Sequence, residues 1–276
     1  LIFESLNFKG SPLTQADLVR NYFLMRFPVE EQQRIYDRAW LPMQVRLDKD
    51  LTDFMLRYLM ITATEPVRKS EIYTHLKRGL QDQTPTQVEQ SLRRMARFSE
   101  YYLTFLNPAT EPSAPCRPVL DRLRRWEVET SHPLLLEIAD RRKSGSVDND
   151  EYLQCLRAIE SYVVRRGLCG LATNTLLKVF VELAGKVPAD RVADWLVREL
   201  SALTGVRRWP GRDEFYTAWM SGRIYGYHTG RCKLLLAAIE EQFEHKEPAD
   251  LQNATIEHVM PQSLTDEWRA ELGQRA

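Results

Sequence analysis

The sequence predicts an all-α protein, a multi-helix bundle or linker with short extended segments at its two ends. Apolar residues recur at three- and four-residue spacing along most of the 276 residues. Side chains that cap helix starts precede several of these stretches, and proline, glycine or polar breaks follow them. Between the two ends, no segment sustains the two-residue alternation of a half-buried strand.

The elements follow in order. Residues 1–13, LIFESLNFKGSPL, alternate and then turn at Gly10 and Pro12, which predicts a short strand or turn. Thr14 opens a helix, with Asp17 three residues on to complete a capping box; Leu18, Tyr22 and Met25 share a face, and Pro28 ends the run. A second helix is expected over 29–39 from Val29, Ile35 and Ala39, and a third over 49–62 from Leu51, Phe54, Met55, Tyr58 and Leu59. Ile72, His75 and Leu76 mark a fourth; Val88, Leu92, Met95, Tyr102 and Phe105 mark a long fifth.

Pro108, Pro112, Pro115 and Pro118 then punctuate a stretch of small and polar residues, expected to be a loop and a subdomain boundary. Helices resume over 119–129 and 133–142. The polar connector KSGSVDND offers Asp148 or Asp150 as a cap for the next helix. Further helices are expected over 150–165, 173–184, 189–203, 212–220 and 231–245. A strand is expected over 254–259, and Thr265 caps a last helix through Trp268 and Leu272. The resulting division is 1–27, 28–115, 116–250 and 251–276.

Composition narrows the function. Hydrophobic residues are 43% and charged residues 28%, which is ordinary for a folded protein. Lys+Arg and Asp+Glu both number 38, so any nucleic-acid contact must be a local basic face. There is no apolar run of membrane-spanning length, and a cytoplasmic location is expected. The cysteines Cys116, Cys155, Cys169 and Cys232 form no paired metal-ligand spacing, so they are expected to be reduced thiols packed in the fold. No glycine-rich phosphate loop, G-x-S-x-G or H-E-x-x-H occurs.

One motif carries chemistry. Residues 255–262, TIEHVMPQ, set an acid directly before a histidine on an expected strand. Neighbouring strand residues point to opposite faces, so Glu257 and His258 can serve different partners. Phosphodiester hydrolysis calls for a base to take a proton from water and a divalent metal to neutralise charge at the leaving oxygen.

This octapeptide resembles the opening of an HNH nuclease motif. Residues 3–21 resemble the end of the N-terminal domain of GmrSD-type restriction endonucleases, through Phe3, Leu6, Asn7, Gly10, Leu13, Asp17, Leu18 and Asn21. Residues 160–170, with Thr173, Asn174 and Lys178, and residues 231–240 are similar to that family's segments ahead of the nuclease. The family joins a ParB-like nucleotide-hydrolysing domain to a C-terminal HNH nuclease through a helical region, and the order here is the same.

The resemblance implies that 1–27 is the tail of the ParB-like domain and 251–276 the start of a ββα HNH finger. It implies His258 as general base and Glu257 as metal ligand. It also implies a magnesium-class divalent cation, a nucleoside triphosphate, and foreign, modified DNA as substrate in phage defence. The family's nucleotide-binding residues lie upstream of the matching segment, and Asn7 and Gly10 are expected to shape a turn. The chain begins at Leu1 and stops shortly after His258, so it is expected to be an internal fragment, inactive by itself and binding no cofactor.

Basic clusters at 93/94/97, 122/124/125, 141–143, 165–166 and 207–208 are expected mostly to face solvent or pair with acids. Arg165 and Arg166, beside apolar Val163 and Val164, are the doublet chosen as DNA phosphate contacts. Phe215 and Trp219 are spaced for core packing, whereas 225–228 reads as an exposed loop. The rival reading is a non-catalytic all-α scaffold that binds protein or nucleic acid.

Overall fold

Side chains that reach back to the backbone set several of the helix starts. In the computed structural model, which describes residues 13–222, 229–243, 251, 254–256 and 265–272, no strand occurs among the described residues. Two compact units divide the chain, Leu1–Gly222 and Arg223–Ala276. The sequence-based division at 115/116 falls inside the first of them.

The first unit contains α1 (Gln15–Leu24), α2 (Val29–Ile35), a π turn (Tyr36–Trp40), α3 (Leu41–Leu47) and α4 (Leu51–Leu59). It continues through α5 (Ile72–Leu80), α6 (Pro85–Leu106), α7 (Cys116–Arg125) and α8 (His132–Lys143). It ends with α9 (Asn149–Leu168), α10 (Leu176–Ala184), α11 (Val192–Ser201) and α12 (Arg212–Ser221). In the second unit the described helices are α13 (Thr229–Gln242) and α14 (Asp266–Leu272).

Local chemistry explains the boundaries. Thr14 Oγ1 accepts from the Asp17 amide at 3.1 Å, and the Asp17 carboxylate accepts from the Thr14 amide at 3.0 Å. This capping box satisfies amides that a helix start otherwise leaves unpaired. Thr84 and Gln87 repeat it at α6, with Pro85 in the first turn where its missing N–H costs nothing. Asp148, the first of the two candidate caps, accepts from the Glu151 amide at 2.8 Å. Gly170, at φ 67°, closes α9 in the left-handed conformation that favours glycine.

The long helix α6 is the centre of the unit. Its buried positions Val88, Leu92, Met95, Phe98, Tyr102 and Phe105 keep helical spacing over five turns. It packs against α3, α4, α7 and α8. Phe54 lies 5.4 Å from Tyr102 between ring centroids, and Tyr58 lies 5.3 Å from Phe98. His132 stands edge-on to Tyr102 at 5.3 Å. Helix α9 packs against α7, α8 and α11, and α10 packs against α8.

The proline-rich stretch, expected to be a loop, is a corner across which α6 and α7 pack on each other. The structure departs from the sequence expectation in two places. Helix α3 follows the π turn directly, with Pro42 accommodated in its first turn. Val29, expected on a buried face, is 80% exposed, and α2 buries Ile35 alone. Of the segments expected to be extended, residues 1–12 and 257–259 lie outside the described residues, and 254–256 adopt neither helix nor strand.

Candidate functional site

Glu257 and His258 lie outside the described residues, as does 225–228. Around the motif, Ala254 and Thr255 are exposed and Ile256 is half-buried. Beyond it, Thr265 starts α14 as expected: its hydroxyl accepts from the Trp268 amide at 3.4 Å and its carbonyl from the Arg269 amide at 3.0 Å. Among the described residues no three or more His, Cys, Asp and Glu stand together as a metal site.

The arginine doublet has a well-defined geometry. Arg166 is only 2% exposed. Its guanidinium donates to the carbonyls of Val206 at 2.8 Å, Arg208 at 3.1 Å and Ala172 at 2.8 Å, and to Thr175 Oγ1 at 3.3 Å. Its position on α9 follows from the glycine-closed turn, which brings 172–175 back beside the helix end. A guanidinium enclosed by carbonyls ties three chain segments together and leaves no outward face for a phosphate. Arg165 donates to the Pro210 carbonyl at 3.2 Å and lies over the Phe215 ring at 5.5 Å. The doublet is thus an internal brace holding 205–215 against α9, and the expectation of displayed phosphate contacts does not describe Arg166.

The other clusters are largely neutralised by acids from elsewhere in the chain. Arg93 pairs with Glu89, Arg94 with Glu137 and Arg97 with Asp140. Arg122 pairs with Glu160, Arg124 and Arg125 with Asp121, Arg141 with Glu137, Arg207 with Glu182 and Arg208 with Glu214. Acids of the chain thus neutralise most members of these clusters.

Two features escaped the sequence reading. The first is a cleft of about 550 Å³ between α6, the proline-rich corner and the α8–α9 turn. Glu111, only 2% exposed, accepts there from Arg142 at 2.9 Å and from the Ser113 amide at 2.8 Å. Arg142 also donates to Asn149 and lies over the Tyr152 ring at 4.6 Å. Burial, with Glu111 nearby, raises the Tyr152 phenol above its ordinary value. Residues 111 and 142 carry no shared spacing signal. The second is the pair Lys77 and Arg78 in the last turn of α5, exposed and without an acidic partner among the described residues.

The thiols behave as expected at three positions. Cys116, Cys155 and Cys232 are buried, and burial pushes Cys155 up to about 12. Cys169 is half-buried.

Residues 209–276 match the family model for GmrSD restriction endonucleases, C-terminal domain. No curated protein matches the chain. The match spans α12, α13, α14 and the TIEHVMPQ motif, and it supports the GmrSD-type family reading. Among the described residues, no helix is long and apolar enough to cross a membrane.

Proposed function

We propose that this chain contributes the helical middle and the first catalytic residues of a metal-dependent HNH DNA endonuclease that defends against foreign, modified DNA. The observation that carries the reading is the match over 209–276 to a restriction-endonuclease C-terminal domain, which encloses Glu257 and His258. His258 takes a proton from the attacking water at an imidazole nitrogen. Glu257 offers the hard carboxylate oxygen that magnesium-class cations prefer. Bound there, a divalent cation would neutralise charge on the phosphate and the leaving oxygen. Control by a nucleoside triphosphate rests on the resemblance of residues 3–21 alone, and a cytoplasmic location accords with a DNA substrate.

The test is plasmid cleavage by the natural protein that carries this chain, with magnesium and nucleotide, on modified and unmodified DNA. Wild type is expected to cut, and His258→Ala is expected to lose at least roughly a hundredfold in rate, the lower range for losing a general base. Equal cutting by both removes His258 from the mechanism. Cutting by neither, on any of these DNAs, favours the non-catalytic scaffold.

A further inference from the structure

The last turn of α5, beside α1, differs from the arginine clusters above because its two adjacent cations, Lys77 and Arg78, meet no acid among the described residues. Lys77 and Arg78 are both exposed. Asp82, one turn beyond Arg78, accepts from the Gln81 side chain at 3.4 Å and is in ion-pair range of neither cation. The other acids close by in the chain are engaged elsewhere: Asp17 with Thr14 and Arg20, Glu71 with the Arg68 amide, Asp53 with Lys69.

Aromatic and basic groups adjoin this turn. The Tyr22 hydroxyl donates to the Lys77 carbonyl at 3.4 Å, which fixes α1 against the end of α5. Tyr22 and Tyr73 meet edge to face at 6.1 Å, and Lys77 Nζ lies 5.9 Å from the Tyr73 ring centre. Arg26, at the end of α1, reaches the Gln83 carbonyl just past α5. Arg26 and the Lys77–Arg78 pair thus lie on two chain segments tied together at one helix end.

We propose that this surface, with Lys77 and Arg78 at its centre and Arg26 at its edge, is a seat for the phosphate backbone of double-stranded DNA. The proposal rests on the nuclease reading above and names where on the helical unit the substrate is held. A cation already held by a carboxylate gains little from a phosphate, because the acid must first be released. A free exposed cation releases the condensed counterions of DNA with no such cost. Such contacts position the duplex without reading its sequence. The helix C-terminus also favours these two charges with no ligand present. The two roles differ in what they predict: the dipole acts on stability, the phosphate contact on salt-dependent affinity.

The experiment measures binding of a short fluorescent duplex to the full chain by anisotropy, across salt concentrations, with thermal unfolding of each variant as the fold control. Lys77→Ala/Arg78→Ala is expected to bind roughly tenfold more weakly or worse near 0.1 M salt, with a log–log salt slope shallower by about two. Lys77→Glu/Arg78→Glu is expected to lose more. A control, Arg93→Ala/Arg124→Ala, removes the same charge from exposed positions where each cation is held by an acid and is expected to leave slope and affinity unchanged. Wild-type binding with an unchanged slope in the double-alanine variant overturns the seat while leaving the nuclease reading standing. An equal loss in the control also overturns it, since net charge alone then explains the effect. No wild-type binding at any salt overturns the DNA partner itself.

Discussion

The α6–α8 face and the α5 end look alike in sequence and differ in structure. Arg93, Arg94 and Arg97 form the denser cluster, and each meets an acid: Glu89 one turn away, Glu137 and Asp140 from α8. Lys77 and Arg78 are a sparser pair, and no described acid meets them. Counting cations along the chain therefore ranks the two faces the wrong way round. What matters for a polyanion is the charge left over after pairing, and for Arg94 and Arg97 that is set by carboxylates on another helix. Arg166 adds a third case, a cation withdrawn from the surface altogether.

The largest effect should come from that withdrawn cation. Arg166→Ala leaves the Val206, Arg208 and Ala172 carbonyls without their donor inside the fold. Unsatisfied buried polar groups cost about 1–3 kcal/mol each, so a loss of about 3–5 kcal/mol is expected for the variant. Urea unfolding measures it. A midpoint equal to wild type would mean that these hydrogen bonds do not hold the 205–215 segment, and would return Arg166 to the set of candidate phosphate contacts.

A second test concerns a base kept neutral. His132 is fully enclosed by the α4, α6 and α8 contacts, and burial, aided by Arg57, pushes it down to about 3. The unfolded imidazole titrates near its ordinary value of about 6.5. Between about 6.5 and 3, unfolding takes up a proton that the folded state refuses. Stability from this group is therefore intact above that window and falls as pH drops through it, by at most roughly tenfold in the folding equilibrium per pH unit. His132→Phe keeps the ring packing and is expected to flatten the acid limb of a stability-versus-pH curve. Parallel acid limbs in the two proteins would show that His132 is not what the low-pH side reports.

Much of the helical framework was legible before the structure, because its causes are local. The Thr14–Asp17 box, the Asp148 cap and the buried stripe from Val88 to Phe105 each depend on residues within a few turns. Helix α3 was not legible: Pro42 reads as a breaker unless the π turn ahead of it is known. The Glu111–Arg142 pair and the Arg166 brace were not legible either, since each depends on chain returning from 31 or more residues away or on a turn's exit direction. The proposed catalytic pair stood out for the opposite reason. Glu257 and His258 are adjacent, so their chemistry is carried by a short string of residues rather than by the fold.

The smallest expected effect is the sharpest probe of the two faces. Arg97→Ala breaks the bond to Asp140 at 3.0 Å, but that pair is partly exposed and Asp140 keeps the Tyr101 hydroxyl at 3.1 Å. Exposed pairs of this kind contribute about 0–1 kcal/mol, so the unfolding midpoint should barely move. Removing a cation that was already neutralised also frees an acid, so the local field changes by one full charge, as it does for Lys77→Ala. If ion pairing separates the faces, DNA affinity should fall for Lys77→Ala and hold for Arg97→Ala at equal change in net charge. If both fall equally, long-range potential governs binding, and the contrast between compensated and uncompensated faces loses its functional meaning.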